Sequence, residues 1–151
     1  MKLEHLMSYH ADLKPPAQVG RVAGGARSIH DVSGGYAEGP KIKGKFLESG
    51  ADWLLIGDDG IGRLDVRATI QTDDGAYIYM QYFGILEMNE QVAAALAKGE
   101  STEYGDAYFM TQPRFETGDE RYAWLNRVVA VGEGRVLPGA VEYRVYHVLN
   151  D

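Results

Sequence analysis

The chain has 151 residues, a formal net charge of −7 and no cysteine. A chain of this length can close a hydrophobic core, and the missing thiols exclude disulfides, thiolate zinc sites, iron–sulfur clusters and a cysteine nucleophile. The acidic balance, with no clustering of lysine or arginine, argues against a nucleic-acid partner, which needs a concentrated basic surface. No apolar run approaches the length of a membrane-spanning helix, and the start MKLEHLMSYH lacks the basic-then-apolar layout of a leader. The expectation is therefore no membrane partner and a cytoplasmic location. Nineteen glycines point to many turns and close backbone approaches, and ten tyrosines point to strands whose hydroxyls can line a pocket.

Residues 2–13 alternate, with Leu3, His5, Met7, Tyr9, Ala11 and Leu13 on one side. Period two over this length predicts a half-buried strand, ended by Pro15-Pro16. Residues 20–40 are punctuated by glycine, around a run from Ala26 to Val32 that fits either a strand or a fixed loop. Lys41 to Leu47 reads as a strand, Ser49-Gly50 as a turn, and Ala51 to Ile56 as a second apolar strand. Asp58-Asp59-Gly60 has the composition of a hairpin turn. Residues 62–72 alternate most clearly, Leu64, Val66, Ala68 and Ile70 opposing Arg63, Asp65, Arg67, Thr69 and Gln71. Asp74-Gly75 then turns the chain into a long aromatic strand, 76–87.

One helix follows, with Asn89 as N-cap and Gly99 as its stop. Further expected elements are a strand over 106–112 broken by Pro113, and a helical turn within 116–125 capped by Thr117 or Asp119. A strand over 127–131 leads to a Gly132/Gly134 turn, and Val141 to Leu149 forms the last strand. About eight regularly spaced strands and one short helix predict an all-β fold in a single domain, 1–151. Bulky groups on both faces of several strands favour a closed antiparallel β-barrel over a sandwich.

Metal and nucleotide templates do not match. His5 and His10 lie five apart on a strand and point to opposite faces, and no HxH or HExxH occurs, so no metal is expected. The glycine runs GRVAGG and GGYAEGP do not join a strand to a helix, and GxSxG is absent; no cofactor is expected. The most suggestive pair is Asp65 and Arg67, which share one face at i and i+2. The strand over 76–87 is bulky on both sides (Ile78, Met80, Tyr82; Tyr77, Tyr79, Phe83), which places the Asp65/Arg67 face inside the barrel, where charges must pair. The alternative is a solvated face. Asp65 is then the expected general base, Arg67 or Arg27 the group that holds an anion or developing enolate, and Tyr82 a hydrogen-bond donor. Phe115, Glu116, Tyr122, Trp124 and Asn126 would form the lid and polar anchor of a pocket, or else plug one end of the barrel. Arg27, His30 and Glu38 are candidates for the barrel mouth, and Trp53 for packing a substrate.

The segments ARSIHDVSGGYAEGPKIKG, GADW, GRLDVRATIQTDDGAYIYMQYFG and YFMTQPRFETGDERYAWLNRVVAVG, in this order, resemble the DUF3237 family, also called UPF0311. The resemblance spans nearly the whole chain. It implies a β-barrel of the lipocalin-like or allene-oxide-cyclase-like kind, in a family defined by sequence and largely without an assigned reaction. The positions that carry it are Arg27, Gly35, Asp52, Trp53, Asp65, Arg67, Asp74, Gly75, Tyr82, Phe115, Tyr122, Trp124 and Asn126. The expected activity is cofactor-independent acid–base chemistry of the isomerase, cyclase or lyase/hydratase type on a small organic molecule in the barrel. A non-catalytic small-molecule-binding barrel is the alternative. Strand edges or the helix face carrying Val92 and Leu96 would support a homodimer.

Overall fold

A computed structural model describes all 151 residues. Its strands are β1 (Lys2–Leu13), β2 (Ala17–Val22), β3 (Gly25–Glu38), β4 (Lys43–Ile56), β5 (Ile61–Thr72), β6 (Tyr77–Glu87), β7 (Phe109–Thr111), β8 (Arg114–Glu116), β9 (Ala130–Leu137) and β10 (Ala140–Leu149). A helix, α1 (Glu90–Lys98), follows β6, and a 3-10 helix, Glu120–Arg127, precedes β9. The hydrogen-bonded order β1-β10-β9-β7-β6-β5-β4-β3 returns to β1 through antiparallel β1–β3 pairing. The result is a closed eight-strand antiparallel barrel. β2 extends β3 as a flanking hairpin, and β8 pairs with β6 further along the same edge as β7.

Closure depends on β3 serving two partners. On one edge its first part pairs with β2 as far as Ile29 and its second part with β1 from Val32 onward, with Gly34 and Gly35 inside the β1-paired part. A Cβ on Gly35 would lie 2.0 Å from the His10 carbonyl oxygen, and φ there is +133°, so only glycine lets the two strands meet. The run from Ala26 to Val32 is accordingly strand, not loop. Ser49-Gly50 is not a turn: β4 runs straight through it, with a register shift against β5 between Phe46 and Gly50. The bulge absorbs the extra residues while Phe46 and Asp52 stay on the inner face. Gly132 and Gly134 are not a turn either. They lie within β9, and the reversal comes at Pro138-Gly139. The strand expected over 106–112 is reduced to β7.

Leu64, Val66, Ala68 and Ile70 of β5 point inward, with Met7, Tyr9, Phe46, Ile78, Met80, Tyr82, Tyr143 and Val145 from the other staves. One end is packed shut. Leu125 of the 3-10 helix is buried there, and the Tyr122 hydroxyl donates to the Asp74 carboxylate at 2.9 Å, bracing the β5–β6 turn. The opposite end stays open beside α1. Asn89 caps α1 by accepting the Val92 N–H at 3.0 Å, and Gly99 ends it in the left-handed region. Val92, expected on a possible dimer face, is fully buried against the barrel instead.

Gly134 makes room for the central tyrosine: a Cβ there would lie 2.7 Å from the Tyr143 ring and 3.0 Å from Phe109. Gly134→Ala should therefore overpack the lumen and lower stability by about 1–3 kcal/mol, measurable by urea denaturation. An unchanged midpoint would show that the Tyr143 ring is free to move aside.

Candidate active site

Strand alternation sets which polar groups enter the lumen. On β3, Ser28, His30 and Val32 face inward, and on β4 Asp52, Leu54 and Ile56 do. His30 pairs directly with Asp52 and Ser28 with Leu54, and antiparallel partners share a face, so these side chains converge. They line a cavity of about 580 Å³ at the open end. The rest of its wall is largely apolar, including Leu64, Leu86, Phe109, Val136 and Val141, and Pro15, Pro16 and Leu96 of α1 contribute to the lining. The volume suits a small organic molecule. Beyond Asp52 a narrow extension of about 20 Å³ continues between Tyr9, Val66, Met80, Tyr82 and Tyr143, enough for one water-sized group.

Asp52 is the only carboxylate in this lining. Its Oδ1 accepts the backbone N–H of Asp65 at 3.2 Å, where the β4–β5 pairing lapses between Asp52–Val66 and Leu55–Arg63. Burial pushes the carboxyl up to about 7, against the opposing pull of that N–H; the charge of Asp65 adds to the rise, and that of Arg27 offsets it. Burial also lowers the pKa of His30, whose Nε2 shares a 3.0 Å hydrogen bond with the Ser28 hydroxyl. The ring is therefore neutral at neutral pH.

Deeper in, the rings of Tyr9 and Tyr143 stand 4.9 Å apart and those of Tyr82 and Tyr143 5.6 Å apart. Burial, followed by mutual interaction with Tyr82, holds the phenols of Tyr9 and Tyr143 well above their ordinary range; burial raises Tyr82 as well. All three remain protonated donors. The hydroxyls of Tyr9 and Tyr143 are buried; each interacts with Tyr82, but neither is held in a hydrogen bond of full geometry.

Of the residues singled out from sequence, Tyr82 and His30 reach this lumen. Asp65 and Arg67 do not. They alternate with the buried Leu64, Val66 and Ala68 and so lie on the outer wall, Arg67 exposed and Asp65 half-buried opposite the exposed Phe83. Neither joins an ion pair. The inward placement fails because β6 does leave bulky rings in water: Tyr77 is 59% and Phe83 57% exposed. The inward placement on which Asp65 as general base and Arg67 as anion holder rested is therefore corrected, and Asp65 reaches the lumen carboxyl through its backbone N–H and its charge.

The remaining candidates disperse. Arg27 Nη1 donates to the Trp53 carbonyl at 2.6 Å on the outer side of β3 and β4, away from the cavity. Phe115 is buried core, and Glu116 is exposed. Asn126 clamps the loop before the 3-10 helix through two 2.8 Å bonds to the Thr117 backbone. Tyr122 braces the closed end, and Trp124 lies beneath Lys41 in a separate shallow cleft there. Glu38 is exposed, 3.6 Å from Lys43. Phe115, Tyr122, Trp124 and Asn126 plug and tie the closed end and do not line the lumen cavity. Ser28, Asp52, Tyr9 and Tyr143 were missed as site residues. The signal was present in the alternation Ser28/His30/Val32 and Asp52/Leu54/Ile56, which puts polar groups in register with inward aliphatic ones.

Residues 1–148 match the family described as a protein of unknown function, DUF3237. The chain belongs to the DUF3237 family. A UPF0311 protein of Rhodopseudomonas palustris is 30% identical over 149 residues, covering 99% of this chain and 97% of that one. A Rhodopseudomonas palustris structure, described as a conserved protein of unknown function, superposes with a TM-score of 0.90 at 31% identity, covering 99% of both chains. A β-barrel-like protein of Acinetobacter baumannii gives a TM-score of 0.84 at 36% identity, covering 97% of this chain and 94% of that one. Two fungal proteins are more distant. One, described as an enzyme from Penicillium herquei, has a TM-score of 0.72 at 25% identity over 98% of this chain and 94% of its own. The other, PR-toxin biosynthesis cluster protein 7 of Penicillium roqueforti, is 27% identical over 100 residues, 64% of this chain and 54% of its own.

In this DUF3237 barrel the raised Asp52 pKa has a definite sign for stability. The folded state holds a proton on Asp52 that the unfolded chain releases above its ordinary value of 3.8, so stability falls as pH rises from about 4 to about 7. Asp52→Asn keeps the acceptor for the Asp65 N–H and removes the charge. The variant should match wild type near pH 4 and exceed it near pH 8, by on the order of 4 kcal/mol. Thermal melts at the two pH values check this; a constant difference would place the Asp52 pKa in its ordinary range.

Proposed function

We propose that this DUF3237 barrel is an enzyme that moves a proton on a small organic molecule held in its lumen, without a cofactor, in chemistry of the isomerase, cyclase or lyase/hydratase type. The observation that carries this reading is a carboxyl buried against a cavity of about 580 Å³ with no cation beside it, a placement that pushes its pKa up to about 7. At neutral pH such a group exists in both forms. It can take a proton in one step and return it in the next, which is what proton-relocating reactions require.

The other lumen groups fit the same chemistry. Negative charge that develops as a C–H or O–H proton leaves is stabilised by donors already fixed in a water-poor site. Tyr9, Tyr82 and Tyr143 are such donors, and each pays its desolvation in the folded protein beforehand. Neutral His30, held by Ser28 beside Asp52, offers a further uncharged hydrogen-bonding group that leaves the carboxylate reactive. The description of the Penicillium herquei protein as an enzyme and of the Penicillium roqueforti protein as a biosynthesis cluster protein supports small-molecule chemistry in this fold.

Exchange of the α-protons of 2-tetralone in D₂O, followed by proton NMR, tests the reading on a simple enolisable ketone. Wild-type protein should accelerate exchange with a rate that rises through an apparent pKa near 7, and Asp52→Asn should lower it by roughly 100-fold. Saturable 2-tetralone binding with no acceleration, or exchange unchanged in the variant, would instead favour the binding barrel.

A further inference from the structure

The cavity also carries information about what enters it, and this rests on the lumen being the working site. We infer that its ligand is an uncharged, largely apolar molecule, carboxylate-free, that inserts a single oxygen (a phenolic hydroxyl or a carbonyl) into the recess between Tyr9, Tyr82 and Tyr143.

Three observations lead there. First, the hydroxyls of Tyr9 and Tyr143 are fully buried, and beyond their interaction with Tyr82 neither is held in a hydrogen bond of full geometry. Buried hydroxyls are nearly always paired, and two incompletely bonded ones beside one recess mark the place of a missing hydrogen-bonding atom. Secondly, the recess holds about 20 Å³, which accepts one oxygen but neither a carboxylate nor a phosphate. Thirdly, the lumen contains no cation. Its one charged side chain below the rim is Asp52, which repels anions; Lys14 stands exposed at the edge, and Arg27 and Arg67 lie on the outer wall. An anionic head would lose its hydration there without a counter-charge. The larger cavity above, walled by Leu54, Leu64, Leu86 and Phe109, takes the apolar body. Inserted this way, the oxygen meets the phenols and the adjoining carbon or hydroxyl proton comes to the level of Asp52, which borders both spaces.

Fluorescence titrations near pH 8 with 2-naphthol, naphthalene and 2-naphthoate, which share one body and differ in the head, test the inference. 2-Naphthol should bind about 10-fold more tightly than naphthalene, the effect of one hydrogen-bonded hydroxyl, and roughly 100-fold more tightly than 2-naphthoate. In the Tyr9→Phe/Tyr143→Phe double variant the preference for 2-naphthol over naphthalene should vanish, while the melting temperature of the empty protein should hold or rise, because two incompletely bonded hydroxyls are removed. Equal affinity for 2-naphthol and naphthalene in wild type overturns the recess, as does a double variant that melts lower but keeps the preference. Naphthoate binding as tightly as naphthol overturns the exclusion of anions, and failure of all three to bind overturns the lumen as their site. Selective 2-naphthol binding without tetralone exchange would leave this inference standing and remove the catalytic reading.

Discussion

In a closed sheet every strand residue is committed to the lumen or to the outer wall, and a neighbour two residues along shares its fate. The barrel's chemistry follows from that commitment once β1 and β3 meet at Gly35. Parity sends Asp52, His30 and Ser28 inward at the open end, and Tyr9, Tyr82 and Tyr143 inward beneath them. It sends Asp65 and Arg67 outward. The bulge between Phe46 and Gly50 lies between two inward positions of β4, so the register of the barrel and the position of its one lumen carboxyl depend on the same local feature.

A carboxyl inside an apolar wall is costly when ionised. The protein lowers this cost only in part, with the Asp65 backbone N–H at 3.2 Å, and supplies no cationic partner in the lumen. A fully compensated carboxylate, such as Asp59 held to about 2 by Arg63 on the surface, is a weak base. The partial compensation at Asp52 leaves its proton exchangeable near neutrality. On the acid–base reading proposed for this barrel, stability is thereby traded against reactivity at a single side chain. The buried phenols show the same pattern, since the folded state leaves two hydroxyls without a hydrogen bond of full geometry at the point where a ligand atom would satisfy both. The closed end behaves differently. There Tyr122, Thr72 and Arg121 all bond to Asp74, and Asn126 bonds to the Thr117 backbone, so the polar groups of that end satisfy one another.

The fold was largely legible in the sequence. Alternation over 2–13, 62–72 and 76–87 marked staves, and Asn89 and Gly99 marked the helix, because these signals are local. Glycine misled where its role was to admit a neighbour rather than to turn the chain: Gly50 lets the Arg67 carbonyl approach, and Gly132 and Gly134 make room for Thr111 and Tyr143, partners distant in sequence. The site was legible only in part. Tyr82 and His30, candidates by sequence, do line the lumen, whereas Asp65 stands out in the sequence as the acid because a polar face opposite a clean aliphatic one is conspicuous. Asp52, within GADW, draws less attention, and its inward position depends on the β4 register, which β3 and β5 set. An exposed aromatic face on β6 removed the argument that had placed Asp65 inside.

The ionisation of Asp52 is the most direct point of test. In protein carrying ¹³C-labelled aspartate carboxyls, the resonance that disappears in Asp52→Asn identifies the group, and its chemical shift can be followed against pH. A midpoint near 7 is expected from its burial in the lumen. A midpoint near about 4, the ordinary aspartate value, would mean a solvated carboxylate and would contradict the assignment of Asp52 as the acid–base group of the barrel.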